Sequence, residues 1–262
     1  MEGHMTKVAV VTGGASGIGE AAARRFADDG YHVAILDQNT DRGPDVVRDI
    51  GDAAHFFACD VGDAEAIQTA VDGVVRALGQ IDACVAAAGI LETPSTILDM
   101  DPAAHDRLWQ INYGGTVHTC RSVGKVMAGQ GSGAIVTLGS INSYVPLPLP
   151  AYCPSKTAIL RLTEMLAVEL GRFGVRVNGV APTYVMTPAI KARIESGERD
   201  PEVIRASNAL GMLVEPDDIA AVIQFLCSDA ARAVSGQMLP VDAAHMAKTQ
   251  YKDFAGGVPW NA

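Results

Sequence analysis

Tyr152 and Lys156 stand four residues apart in the run Tyr152-Cys153-Pro154-Ser155-Lys156. On a helix that spacing puts both side chains on one face. A phenol ionises near pH ~10 and carries protons poorly at neutral pH unless it is tuned. A neighbouring ammonium stabilises the phenolate and is expected to lower that value. A tuned phenol suits hydride transfer at a carbonyl, where a proton must reach oxygen as hydride reaches carbon. Ser140 follows an apolar run at 134–138 and precedes Tyr152 by twelve residues. A hydroxyl at the carboxyl end of a strand can bond the substrate oxygen and hold it beside the phenol. Asn112 falls in a stretch of helical period, where propensity disfavours its amide. Its side chain is expected to hold a water that links Lys156 to solvent.

A second constellation lies at the start of the chain. The run Val8-Ala9-Val10-Val11 leads into Thr12-Gly13-Gly14-Ala15-Ser16-Gly17-Ile18-Gly19, and a helical pattern opens there. Gly13, Gly17 and Gly19 permit a tight turn and a close approach of backbone to a pyrophosphate. The helix N-terminus adds unpaired N–H groups and a partial positive charge. The next apolar run ends at Asp37, whose carboxylate can accept hydrogen bonds from ribose hydroxyls and would repel a 2′-phosphate. No Lys or Arg stands at Ser16 or Gln38 to receive such a phosphate. NAD is therefore expected over NADP.

These groups need a scaffold that brings strand ends together. Short β-branched or apolar runs at 8–11, 33–36, 54–58, 83–87, 133–138, 175–180 and 237–241 alternate with stretches of helical period. The helical stretches lie at 18–29, 42–50, 64–78, 102–128, 152–173 and 216–228. Continuous apolar strands alternating with helices predict a parallel sheet covered on both faces, doubly wound. No linker, repeat or low-complexity segment breaks 5–247, so a single domain is expected. The one long departure from the alternation, 183–212, is expected to be a lid over the carboxyl ends of the strands. Met1-Glu2-Gly3-His4 ahead of Met5 reads as a remnant of recombinant expression and is excluded from fold reasoning.

Taken together, residues 12–19, Asp60-Val61, Asn112, Ser140, Tyr152xxxLys156 and 178–182 resemble the short-chain dehydrogenase/reductase family. The resemblance runs in order from about 6 to 247. It implies a Rossmann-type fold with seven parallel strands and a tetrad of Asn112, Ser140, Tyr152 and Lys156. It further implies that Lys156 binds the nicotinamide ribose and that Asp60 and Val61 contact the adenine. It implies too that the loop from Pro182 holds the nicotinamide carboxamide through Val185 and Thr187. It implies also that Ser16, Ile18, Ala87 and Gly89 join the cofactor set, and that homotetramers form through the last strand and the long helices near 102–128 and 152–173. Three departures stand out. Ala86-Ala87-Ala88-Gly89 replaces Asn-Asn-Ala-Gly, so the adenosine ribose contact or the central sheet is expected to loosen. Pro182-Thr183 replaces Pro-Gly, so the loop backbone is expected to differ. Asp242-Ala243-Ala244 replaces Asp-Gly-Gly.

Segments expected to border the nicotinamide carry Leu91, Glu92, Asn142, Val145, Tyr184, Met186 and Ile190. Asn142, Tyr184 and Met186 are the substrate candidates, and Asn142 and Tyr184 could bond extra hydroxyls of a polyol or diol. The tail 248–262 carries Tyr251, Phe254 and Trp260 and is expected to pack on a neighbouring subunit. Net charge of -10, with Arg24-Arg25 the sole adjacent basic pair, argues against nucleic acid as a partner. No apolar run approaches the ~20 residues a membrane span needs. Five widely spaced cysteines without a CxxC read as reduced thiols of a cytoplasmic protein, and the six histidines show no metal spacing. The leading expectation is an NAD-dependent secondary alcohol dehydrogenase. Its rivals are a reductase of 3-oxoacyl thioesters and a dinucleotide-binding sensor without catalysis.

Overall fold

The computed structural model describes residues 6–252 and 255–257. Seven strands form one sheet: β1 (Val8–Thr12), β2 (His32–Asp37), β3 (Ala54–Ala58), β4 (Ala83–Ala86), β5 (Gly133–Leu138), β6 (Val175–Pro182) and β7 (Met238–Val241). Among the described residues, ten α-helices accompany them. The first three are α1 (Gly17–Asp28), α2 (Arg42–Ile50) and α3 (Ala64–Leu78). Next come α4 (Pro102–Trp109), α5 (Gly115–Gln130), α6 (Tyr152–Gly171) and α7 (Pro188–Glu195). The last are α8 (Pro201–Ser207), α9 (Pro216–Cys227) and α10 (His245–Lys252).

All neighbouring strands pair in parallel, in the order β3-β2-β1-β4-β5-β6-β7. Residues of β1 and β4 are buried throughout, which is why these strands read as unbroken apolar runs rather than alternating ones. One apolar layer packs Val71 and Val74 of α3 with Val123 and Met127 of α5 against one face. The other packs Phe26 of α1 with Ile219 and Ile223 of α9 against the opposite face. The chain order reverses where β1 lies between β2 and β4. In an open α/β sheet that switch leaves a crevice at the strands' carboxyl ends.

Two features depart from simple alternation. The stretch from 102 is not one helix: α4 and α5 are joined by a π-helical turn, Gln110–Gly114. Single π turns inside helices recur at functional sites. The stretch 183–212 holds α7 and α8, and an isolated parallel bridge from Val185 to Val214 pins its start.

Candidate active site

The glycine-rich turn is shaped by close contacts that leave no room for side chains. A Cβ on Gly13 would lie 2.8 Å from Cα of Ala88, and one on Gly19 would lie 2.1 Å from the carbonyl oxygen of Gly13. Gly13 and Gly17 also hold positive φ, 68° and 56°. Helix α1 opens with Ser16 as its N-cap, yet no side chain caps it. Its first N–H groups are therefore open to an anion, and Gly17, Ile18 and Gly19 line the cavity in front of them. This cradle fits a dinucleotide pyrophosphate.

The Asp37 carboxylate accepts from the backbone N–H of Ala15 (3.1 Å) and of Asn39 (2.9 Å), which fixes it at the end of β2 beside the cradle. The nearest following cation, Arg42, is turned to Glu20 (2.9 Å). Asp60 accepts from Gly62 N (2.8 Å) and pairs with Arg107 (3.1 Å); the Gly62 bond, then Arg107, holds its pKa below the ordinary carboxylate value. Ala86-Ala87-Ala88-Gly89 lacks the family's amides, and Thr12 supplies a tie instead: its Oγ1 accepts from Ala88 N (3.3 Å). That link holds β1 to the end of β4, so the expected loosening of the sheet is met by a different bond.

On the other side of the switch point, Ser140 caps a 3₁₀ turn, Ile141–Ser143. Its Oγ accepts from Asn142 N (3.1 Å) and donates to Asn142 Oδ1 (3.2 Å). Ser143 Oγ donates to the Lys156 carbonyl oxygen (2.8 Å), tying this turn to α6. Tyr152 begins α6, and Lys156 lies one turn on, with Nζ 5.4 Å from the phenol ring centroid. Lys156 is buried, 4% exposed, and Nζ donates to the Leu138 carbonyl oxygen (2.7 Å). Burial pushes the ammonium down to about 8. Burial likewise pushes the Tyr152 phenol up to about 12, while a hydrogen bond with Ser140 pulls the other way. The expected lowering of the phenol by Lys156 is absent in this state: desolvation disfavours both charged forms, and it outweighs their proximity.

Asn112 sits in the π turn. Its Oδ1 accepts from Ile90 N (2.8 Å) and its Nδ2 donates to Ile90 O (3.0 Å). The amide thus clamps the backbone beyond β4. Gly89 packs closely beside it: a Cβ there would lie 3.2 Å from Asn112 Oδ1, so the amide would have to shift.

These elements close around one cavity of about 400 Å³, within the range of small-molecule sites. Its wall includes Gly13, Ser16, Gly17, Ile18, Gly19, Asp37, Asp60, Val61, Ala87 and Gly89 on the cradle side. It includes Ser140, Asn142, Tyr152, Lys156, Pro182, Tyr184, Val185 and Thr187 on the other. Thr187 leans on the cradle: a Cβ on Gly17 would meet its Cγ2 at 3.1 Å. Asn112 lies behind the wall, and so does Met186. Met186 is 3% exposed and packs with Ile190 and Ile204; it is not brought to the cavity as expected. Asn142 Nδ2 is engaged with Val145 O (3.2 Å). Thr183 avoids the positive φ that glycine would allow, and its buried Oγ1 finds no protein partner. Of the aromatic tail, Tyr251 ends in α10, while Phe254 and Trp260 lie outside the described residues.

The roles of five residues were not read from the sequence. Glu92 was seen only as a bordering residue, yet its carboxylate accepts from Tyr152 N (2.7 Å) and Ala151 N (3.1 Å), capping α6 from a distance. The signal was available: Pro150-Ala151 offers α6 no local capping side chain, so its first N–H groups need a remote acceptor. Leu147 and Leu149, in the loop Leu147-Pro148-Leu149-Pro150 before α6, line the cavity. Arg193 and Arg199 line it too, and nothing in their spacing marked them.

Among known proteins, the family model described as enoyl-(acyl carrier protein) reductase matches residues 13–243. Short-chain dehydrogenase reductase 3a of Arabidopsis thaliana is 36% identical over 244 residues, covering 91% of this chain and 95% of that protein. D-threitol dehydrogenase of Mycolicibacterium smegmatis is 38% identical over 247 residues, covering 92% and 94%. The crystal structure of NAD⁺-bound xylitol dehydrogenase matches with a TM-score of 0.84 at 29% identity, covering 91% of this chain and 98% of that one.

Proposed function

The chain belongs to the short-chain dehydrogenase/reductase family and is an oxidoreductase of secondary alcohols and ketones; from that premise we propose that its dinucleotide is NAD(H) and its substrate a polyol, diol or related hydroxy compound. The observation that carries this is one cavity holding both the phosphate cradle and Ser140, Tyr152 and Lys156. A bound nicotinamide accepts the hydride in oxidation and donates it in reduction. The Ser140 hydroxyl orients the substrate oxygen, and the Tyr152 phenol gives or takes the proton at that oxygen. Lys156 would hold the nicotinamide ribose, and Val185 and Thr187 the carboxamide. NAD is favoured because Asp37 ends β2 while Arg42 is occupied by Glu20. The threitol and xylitol dehydrogenases named above support a polyhydroxy substrate. We read 183–212 as a lid, and a homotetramer in the cytoplasm as the working form; five cysteines free of disulfides suit a reducing compartment.

Tyr152→Phe tests the assignment. It should abolish NAD-linked turnover across polyols, diols and aryl alcohols while leaving NADH binding, read by fluorescence, largely intact. Wild-type rates in that variant would end the catalytic reading. Binding of NADH by a wild type that turns over no alcohol would favour the sensor, and preference for 3-oxoacyl thioesters the reductase. Asp37→Ala should lower the NAD-over-NADP ratio of kcat/KM by roughly tenfold, about 1.4 kcal/mol; a wild type that already prefers NADP would overturn the cofactor reading.

A further inference from the structure

The chain is acidic, with a net charge of -10, yet two of the side chains lining the active-site cavity are Arg193 and Arg199. Arg193 stands in the last turn of α7, and the N–H of Arg199 donates back to its carbonyl oxygen (3.0 Å), so the turn brings the two residues together. Both are half-buried. Arg193 spends both terminal nitrogens on one neutral acceptor, the Glu92 carbonyl oxygen (3.3 Å each). Arg199 Nη1 donates to the Glu198 carbonyl oxygen (2.8 Å). Ion pairs nearby join Lys191 to Glu215 and Arg205 to Glu202; among the described residues, no ion pair satisfies Arg193 or Arg199. Glu92 is the acid placed to neutralise Arg193, but its carboxylate is turned to the first N–H groups of α6. Asp37, Asp60 and Glu92 also line the cavity, but among the described residues none of them pairs with either guanidinium.

The pair is close to the chemistry. Arg193 touches Glu92, and Glu92 touches the backbone of Tyr152 (2.7 Å). The same cavity is also lined by apolar side chains, among them Leu91, Leu147, Leu149 and Ile190. A neutral polyol would leave that wall unfilled and the two cations unpaired. A guanidinium fork binds a carboxylate in two parallel hydrogen bonds, and it does so most strongly where water is partly excluded.

We propose that this enzyme acts on secondary alcohols that carry an oxyanion, specifically hydroxy carboxylates with an apolar body, whose carboxylate docks on Arg193 and Arg199. The inference rests on the alcohol dehydrogenase reading and narrows its substrate class.

The test compares 3-hydroxybutyrate, 5-hydroxyhexanoate and 7-hydroxyoctanoate with their methyl esters, and the best acid with the matching hydroxyalkyl phosphate, all with NAD and with NADP. At least one acid should exceed its ester by roughly tenfold or more in kcat/KM, chiefly through KM. Arg193→Gln and Arg199→Gln should each erase that acid-over-ester ratio while NADH fluorescence titrations still show the dinucleotide bound. Esters turned over as well as their acids would overturn the proposal and leave the dehydrogenase reading standing. A phosphate preferred over the carboxylate would overturn the carboxylate assignment. Turnover of neither acids nor esters, by a protein that also ignores polyols, would sink the underlying dehydrogenase reading itself.

Discussion

At the floor of the cavity, burial disfavours the charged forms of two groups that ordinarily charge in opposite senses. The phenol of Tyr152 rises to about 12 and the ammonium of Lys156 falls to about 8. In the protein without dinucleotide the phenol therefore keeps its proton well beyond neutral pH. Ultraviolet difference spectra of wild type against Tyr152→Phe should show no phenolate from this residue below about pH 10. Ionisation near neutral pH would mean that Lys156 alone tunes the phenol. Lysine 156 makes a second, thermodynamic prediction. Its folded pKa of about 8 lies below its unfolded value of 10.5, so between those two values the unfolded chain holds a proton that the folded chain has released. That penalty is fully present below pH 8 and disappears as pH rises to 10.5, and it amounts to about 3 kcal/mol. Lys156→Met should be inactive yet more stable than wild type at neutral pH. The gap in denaturant midpoint should close as pH climbs from 8 toward 10.5. A pH-independent gap would show that the lysine carries no such cost.

At the scale of elements, most of the fold was legible because each strand of a covered parallel sheet must be apolar without interruption. The bounds 42–50 for α2 and 64–78 for α3 agree with Gly51 and Gly79 at the helix ends, while β3 at 54–58 is an edge strand that tolerates His55 and is only partly buried. What stayed hidden depends on partners distant in sequence. The π turn at Gln110–Gly114 keeps helical periodicity in the sequence, so nothing there marks the clamp of Asn112 on Ile90. Glu92 caps a helix that starts sixty residues later. Glu92→Ala should strip two N–H groups of α6 of their acceptor, lower stability by about 1 kcal/mol in denaturant titration, and displace the Tyr152 backbone. A variant as stable as wild type would show that water replaces the carboxylate at no cost. The departure Asp242-Ala243-Ala244 was visible as a string, but its consequence needed coordinates. Ala243 and Ala244 hold φ of 49° and 60°, where a Cβ is disfavoured by about 1–2 kcal/mol per residue. Asp242 sustains the turn by accepting from Ala244 N (3.0 Å) and Met246 N (3.0 Å). Ala243→Gly and Ala244→Gly should each raise the thermal midpoint, against the usual sense of such changes.

For the whole molecule, the outward faces say what a single chain leaves unfinished. Helix α6 turns Lys156 inward and Tyr152 toward the cavity, but it also presents Val168, 80% exposed, and Met165, 50% exposed, on its far side. At the other boundary β7 is an edge strand of four residues with Leu239 40% exposed. Lone exposed apolar residues are ordinary. These lie on the two surfaces, α6 and the last strand, through which the family resemblance leads one to expect subunit contacts. If both surfaces are interfaces, light scattering at neutral pH should give about 109 kDa, four times the 27.3 kDa chain. Val168→Asp places a carboxylate on the α6 surface only, where an interface would have to desolvate it. That variant should fall to a dimer held by the β7 edge, and Leu239→Asp should produce the complementary dimer through α6. Because α6 carries Tyr152 and Lys156 on its inner face, loss of the α6 contact should lower kcat more than loss of the β7 contact. A wild-type chain that runs as a stable monomer of 27.3 kDa would remove this assembly and leave the exposed valine as an ordinary surface residue.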